Sequence, residues 1–524
     1  MNNLLKNFSL IFLISFFFGS CEEYNGILSE NSGQGPSINF ISPVPGSQIS
    51  GVVEFKVAAK DANGVASVSF EMADKLNRLD QEEPYSVEVD TSELVNGLHE
   101  LEVAALNNNG IKTSRLLHFK VSNEVEDDEN EDNSSPSLAG DFVTVKDGKF
   151  KLKGKDFYFS GTNAYYLPNY EKLDPKVVDR AFSAFEDAGV KVVRMWAFYD
   201  GYEYGYSAQD KNENVIQTAA GVYNEKALKD LDNVIAKGKV KNMYFVLALA
   251  NYWKELGGVA QYVKWAGISN PEENTMQKFL ASDKAKKLYK DYVRMLLNRV
   301  NTVTGVAYKN EPAIMAWHIL NEGRGGRGED PTILRDFYQE MARFIKDIDA
   351  NHLVGTGEEG YDHGQDKADT VYSRDQYSNT YALRANEGTS YILNTSIPEI
   401  DFGSFHLYPS VFGFGSDQGN ILKAQSAWIK DHYEIAKNLG KPALLGEYGY
   451  PGWGDKDKMT PIYQNIYQNI EQSGLGGGLF WQLTADWHKC WEYGGNICYP
   501  AGRKDTELFN GFKAHNLIMN AKGH

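Results

Sequence analysis

The chain has 524 residues, more than one ordinary domain needs and enough to bury a large core. Its formal net charge of −17 argues against a nucleic-acid partner, whose phosphates would repel it, and leaves neutral polymers open. The 31 tyrosines and 9 tryptophans suit stacking against sugar rings, though they suit a big core equally.

In chain order, Lys6 supplies a positive n-region, and Ser9 to Phe18 form an apolar stretch of signal-peptide rather than membrane-spanning length. Phe18-Gly19-Ser20-Cys21 resembles a bacterial lipobox, so residues 1–21 are expected to be a lipoprotein signal peptide with Cys21 as the lipidated residue. Glu22 and Glu23 resemble the acidic export tags of surface lipoproteins in some Gram-negative bacteria. The expectation is an outer-membrane lipid anchor facing the cell surface. An ordinary signal peptide with a secreted or periplasmic product is the alternative. Residues 22–35 are polar and read as a tether.

From 36 to 123 the pattern is one of short alternating runs: Ile38 to Ile41, Val52 to Val57, Ser67 to Met72, Tyr85 to Val89 and Glu100 to Ala104. Turn clusters such as Ala62-Asn63-Gly64 and Asn108-Asn109-Gly110 lie between them, which predicts an all-β sandwich. The stretch Asp90 to Leu101 resembles bacterial immunoglobulin-like modules. A spacer is the expected role, with glycan binding as the alternative. Residues 124–140 open with an almost wholly acidic run whose charges repel and extend it, so they read as a linker.

From 141 to 524 apolar strands alternate with amphipathic helices, the pattern of a βα repeat. Strands are predicted at 157–161, 190–197, 244–250, 314–320, 352–356, 402–406, 443–447 and 478–482. Helices between them include 175–188, 225–237, 282–300, 331–349 and 424–438. The fold class is therefore multidomain: a (β/α)8 TIM barrel preceded by an all-β immunoglobulin-like sandwich. Long strand-to-helix connections at 198–224, 251–281, 357–400 and 483–511 would build a cleft on the carboxyl face. With Cys21 set aside, Cys490 and Cys498 are an even pair in an exported chain, which predicts a local disulfide; two free thiols are the alternative. Two cysteines alone lack the further ligands of a zinc site, and no metal or organic cofactor is expected.

Polar residues gather at the carboxyl ends of the predicted strands: Arg194, Asn251, Asn321 with Glu322, His406 with Tyr408, Glu447 and Trp481. Each alone has a bland explanation, a solvated turn for Glu322 or a core histidine for His406. Two glutamates at the ends of two buried strands, about half a barrel apart, would face each other across the mouth. That is the requirement for retaining glycoside cleavage, in which one carboxyl protonates the leaving oxygen and the other attacks the anomeric carbon.

The set resembles glycoside hydrolase family 5, and within it the endo-β-1,4-mannanases (subfamily 7). The passages that carry the likeness are Phe159 to Leu167, Val193 to Phe198, Asn251-Tyr252-Trp253 with Gly257-Gly258, Thr356 to Gly360, Asp401 to Pro409 and Phe480 to Leu483. The resemblance implies Glu447 as nucleophile and Glu322 as acid/base, whose pKa the charge of Glu447 would raise. Arg194 and Tyr408 would keep Glu447 ionised. Asn321 would bond the sugar 2-hydroxyl, His406 would hold the centre in geometry, and Trp481 would be the stacking floor. Asn251, Trp253, Arg324 and Glu359 would be supporting or flanking-subsite residues, Arg324 reaching leaving-group sugars. Trp487 and Trp491 are either packing or substrate contacts. The implied partner is a β-mannan and the chain is expected to be a monomer, with a family 5 cellulase or glucomannanase, or a non-catalytic glycan-binding lipoprotein, as alternatives. One departure is Gly323, where the family has proline after the acid. Glycine there is expected to loosen the backbone beside Glu322.

Overall fold

The computed structural model describes residues 35–43, 47–72, 75–94, 97–121, 123, 142–169, 175–201, 214–362, 387–450, 456–484, 497–498 and 506–522. Cys21, Cys490, Trp487 and Trp491 lie outside these residues, as do the expected signal peptide, the acidic linker and nearly all of the tether.

The amino-terminal region forms two sheets. One has three strands, Ser37–Ser42, Val52–Lys60 and Tyr85–Asp90; the other has five, Gln48–Ile49, Lys112–Val121, Gly97–Asn107, Val65–Met72 and Leu76–Asp80. Alternate residues of both, among them Phe55, Val57, Val68, Phe70, Leu101, Val103, Leu117 and Phe119, make one buried cluster. Burying each such side chain contributes about 1.5–3 kcal/mol. The five strands predicted from alternation are present. Three strands were missed, Gln48–Ile49, Leu76–Asp80 and Lys112–Val121; no residue of Leu76–Asp80 is fully buried, so its sequence carries no apolar face to detect, whereas Lys112–Val121 buries alternate Leu117, Phe119 and Val121.

The second region is a ring of eight parallel strands: β1 (Phe159–Asn163), β2 (Val192–Trp196), β3 (Tyr244–Ala248), β4 (Ile314–His318), β5 (Leu353–Gly355), β6 (Gly403–Leu407), β7 (Ala443–Tyr448) and β8 (Gly477–Phe480). They pair in the order β5-β4-β3-β2-β1-β8-β7-β6. The two ends of that order meet where the Asp401 N–H donates to the Val354 carbonyl (2.9 Å) and the His406 N–H to the Glu359 carbonyl (3.1 Å). Each strand lies within two residues of its predicted bounds.

The barrel interior divides along its axis. At the amino-terminal end Phe159, Val192, Val246, Leu353, Phe402, Leu444 and Leu479 form an apolar layer. A hairpin of Val143–Lys146 and Lys149–Leu152 stoppers it, with Phe150 packed 5.7 Å from Phe159 and 5.5 Å from Phe402. Side chains alternate in a strand, so the same inward rows continue two or four residues later as Arg194 after Val192, Asn163 after Phe159 and His406 after Phe402. Glu447 breaks the alternation, standing three residues after inward Leu444. The pairing of β6 with β7 shifts between Phe405↔Leu445 and His406↔Glu447, leaving Gly446 as an extra residue. This bulge turns Glu447 into the barrel.

Candidate active site

The hub of the polar end is Arg194, which is fully buried. Its Nη1 donates to Glu447 Oε1 (2.5 Å) and to Asn163 Oδ1 (3.1 Å), its Nη2 to Asn321 Oδ1 (2.6 Å), and its Nε to His318 Nδ1 (3.1 Å). One guanidinium on β2 thus fixes residues at the ends of β1, β4 and β7, which a planar fork of donors can do and a point charge cannot. Tyr408 donates to the other oxygen of Glu447 at 2.6 Å. Asn321 donates one amide N–H to Asn251 Oδ1 (3.0 Å), and its second has no acceptor among the described residues.

Glu322 lies across from Glu447. Its Oε2 accepts from the Trp253 indole N–H at 2.6 Å, and its Oε1 lies 2.8 Å from His406 Nδ1. The same nitrogen is 3.7 Å from Glu447 Oε2. One oxygen of each glutamate and a ring nitrogen of His406 fall within 4.8 Å of one another. Two residues far apart in sequence are therefore neighbours in space, at the close separation of a double displacement rather than the wider gap that an inverting enzyme leaves for water.

The backbone of Glu322 is unusual. Its φ is +51°, a left-handed conformation that costs a glutamate about 1–3 kcal/mol. Hydrogen bonds to both flanking segments hold it there: Asn321 N–H to the Ala250 carbonyl (2.9 Å), Tyr252 N–H to the Asn321 carbonyl (3.0 Å), Leu320 N–H to the Thr356 carbonyl (3.1 Å) and Glu322 N–H to the Gly357 carbonyl (2.8 Å).

Burial dominates the electrostatics. It pushes the Glu322 carboxyl above the ordinary carboxylate value, against the Trp253 hydrogen bond and the charges of Arg324 and Arg194. The expected leading cause, the charge of Glu447, gives way to desolvation. Burial also raises Glu447 above the ordinary carboxylate value, with the charge of Glu322 adding to it and Arg194 and Tyr408 opposing it. His406 is held down to about 3 by burial, so at neutral pH it is a neutral ring hydrogen-bonded to Glu322 and not an ion-pair partner. Burial and the negative Glu447 keep the Tyr408 hydroxyl protonated far above its usual range.

A flat floor completes the site. Trp481 is half-buried and stacks on Tyr165 at 5.5 Å with a 5° interplanar angle. The β-mannosidase-like family of glycoside hydrolase family 5 matches residues 140–473, which contain both glutamates and the side chains that bond them. The chain belongs to glycoside hydrolase family 5. Residues 36–103 match a bacterial immunoglobulin domain. Among relatives, mannan endo-1,4-β-mannosidase 1 of Solanum lycopersicum is 33% identical over 370 residues, covering 69% of this chain and 88% of that protein. A putative mannan endo-1,4-β-mannosidase 4 of Arabidopsis thaliana is 36% identical over 66% of this chain and 84% of its own. The endo-β-1,4-mannanase of Thermotoga petrophila superposes with a TM-score of 0.61 at 31% identity, covering 71% of this chain and 78% of the other.

Against the family 5 pattern, Gly323 proves to be tight packing and not slack. A Cβ at this position would lie 2.2 Å from Tyr338 Oη and 2.8 Å from Leu320 Cδ2. The neighbours fill the space a side chain would take, so the residue after the acid must be small here. Arg324 also differs from expectation. It is buried, holds Glu359 by two bonds (Nε to Oε2, 2.7 Å; Nη2 to Oε1, 2.9 Å), and lies 5.0 Å from the Trp253 ring. It thereby ties Glu359 to the tryptophan that bonds Glu322. Glu358, beside Glu359, is fully enclosed and pushed to about 8 by burial, with Asn394, Thr356 and Thr389 donating to it.

Two residues of the Arg194 network were missed from sequence, Asn163 and His318. Both are polar residues at inward positions near the end of a buried strand, and that signal was available once the inward rows of β1 and β4 were counted.

Proposed function

We propose that the chain is a retaining, endo-acting β-1,4-mannanase working by double displacement, and the approach of the Glu322 and Glu447 oxygens to within 4.8 Å carries that reading. Glu447 attacks the anomeric carbon as the glycosidic C–O bond breaks, and the Glu322 proton goes to the departing oxygen. The product of this step is a glycosyl ester on Glu447. Loss of the Glu447 charge leaves Glu322 a better acid just as it needs to lose its proton, and as carboxylate it then takes a proton from the attacking water. That water cleaves the ester and returns Glu447 to its starting form. The free N–H of Asn321 is placed for the sugar 2-hydroxyl, a contact that tightens toward the oxocarbenium-like transition state, and Trp481 supports the ring. The mannan preference is supported by the relatives, whose names specify mannan.

Glu447→Ala and Glu322→Ala are expected to abolish release of reducing sugar from mannan while both variants stay folded. Azide should restore Glu447→Ala and give an inverted glycosyl azide; an inverted product from Glu322→Ala instead would reverse the two roles. Activity on carboxymethylcellulose exceeding that on mannan would refute the substrate assignment. The lipobox reading supports a lipid-anchored, exported protein, and Cys21→Ser is expected to move the enzyme from the membrane to the soluble fraction.

A further inference from the structure

The amino-terminal end of the barrel, opposite the two glutamates, carries a cavity of about 370 Å³, within the range of roughly 300–1,000 Å³ common for small-molecule sites. Its walls come from the starts of three neighbouring strands: Phe157 and Tyr158 precede β1, Lys191 precedes β2, and Tyr244 opens β3. The short strand Lys155–Asp156, paired with Lys149–Leu152 of the stoppering hairpin, closes another side. Asn163 and Arg194 of the catalytic network stand further along β1 and β2, toward the mouth, so the cavity is a separate site.

Its lining combines flat apolar rings with charge of one sign. Phe157, Tyr158 and Tyr244 are half-buried at the cavity, and Phe157 meets Tyr244 edge to face at 5.5 Å, which holds both rings in place. Such rings offer the apolar surface on which a sugar ring packs, with the tyrosine hydroxyls as polar ends. Three of the lining residues are lysines, Lys153, Lys155 and Lys191, and the Lys522 ammonium lies 5.1 Å from the centre of the Tyr158 ring. The acid of the wall, Asp156, is already held by Lys149 (2.8 Å) and Lys151 (2.5 Å). The side chains of Lys155 and Lys191 make no hydrogen bond or ion pair among the described residues. In a chain of net charge −17, a cavity whose uncommitted charges are positive selects an anion. A flat lipid surface does not enter a recess between strand starts, whereas one ring bearing a carboxylate does.

We propose that this cavity is a second, non-catalytic glycan site that takes a hexuronic acid residue of an acidic polysaccharide, its ring against Tyr158 and Tyr244 and its carboxylate between Lys155 and Lys191. Binding there holds the protein on an acidic glycan while the mouth, at the opposite end of the barrel, stays open to its own substrate. The site does not depend on which polymer the mouth cleaves. Isothermal titration of the whole protein with trigalacturonate tests it, for wild type, Lys155→Ala, Lys191→Ala and Tyr158→Ala, with thermal melts to show that each variant is folded. Wild type should bind, and each variant should lose about 3- to 10-fold in affinity, the scale of one hydrogen bond or ion pair. The two lysine variants decide the matter if Tyr158→Ala does not fold. Mannotriose serves as the neutral sugar, and inorganic phosphate and phosphatidylglycerol vesicles as anions without a sugar. No binding of trigalacturonate by wild type, or binding that the lysine substitutions leave unchanged, would overturn the proposal. Phosphate or vesicles bound as tightly as the trisaccharide, with the same dependence on Lys155 and Lys191, would overturn it in favour of a general anion or membrane contact. Equal losses of mannotriose affinity in the lysine variants would refute the selection for an acidic sugar.

Discussion

Replacing Trp253 by Phe removes one bond to the acid and keeps an aromatic ring under Arg324. The lost contact is short, 2.6 Å, and the Glu322 side chain is only 14% exposed, so the bond acts in a largely dry setting. Hydrogen bonds to charged groups contribute about 1.5–3 kcal/mol, which at about 1.36 kcal/mol per pKa unit corresponds to roughly 1–2 units. Water entering beside the ring would replace part of the donor, so the lower end, about one unit, is expected. The sign follows from which form is favoured. The indole N–H stabilises the carboxylate, so its removal raises the Glu322 pKa further, and the acid stays protonated to higher pH. In a profile of kcat/KM against pH on a phenyl β-mannoside, whose poor leaving group needs the proton, the alkaline limb should move up by about one unit. A limb that stays in place or moves down, in a variant with unchanged circular dichroism, would refute the assignment of Trp253 as the donor that tunes the acid.

Arg194→Lys keeps the charge but loses the fork that joins Glu447, Asn163, Asn321 and His318. A fall in kcat of about 10²–10³-fold is expected, with destabilisation of about 1–3 kcal/mol from the buried groups left unpaired, both readable by initial rates and thermal melts. Glu358→Gln should leave activity nearly unchanged, because burial already holds that carboxyl neutral below about 8. A raised folded-state pKa gives stability that is complete below the unfolded value and is lost as pH rises through 8, so the variant's Tm should fall less than the wild type's between pH 5 and pH 9. Equal pH slopes would contradict the buried protonated state. Gly323→Ala forces a Cβ against Tyr338 and Leu320, and a destabilisation of about 1–3 kcal/mol with a lower kcat is expected. Adding Tyr338→Phe should recover part of both; no recovery would place the strain elsewhere.

The elements themselves were legible along the chain because their signals are local. Buried parallel strands read as continuous apolar runs, and the immunoglobulin-like strands as alternation. The charged linker and the turn clusters marked the boundaries between these patterns. The strand-end rule also located Glu322, Glu447, Arg194, His406 and Tyr408, since in a parallel barrel position along a strand determines height in the ring. Edge strands such as Leu76–Asp80 left no trace, having no buried face to impose a pattern.

What the sequence determined by itself is therefore which residues stand at the mouth of the barrel. Which of them touch was decided by tertiary structure. A one-residue bulge at Gly446 turns Glu447 inward, and a left-handed residue turns Glu322 toward Trp253. Arg324 is drawn to Glu359, 35 residues away in the chain. Direction at a strand end depends on register and on the neighbouring strands' hydrogen bonds, and those are long-range quantities that no window of residues contains.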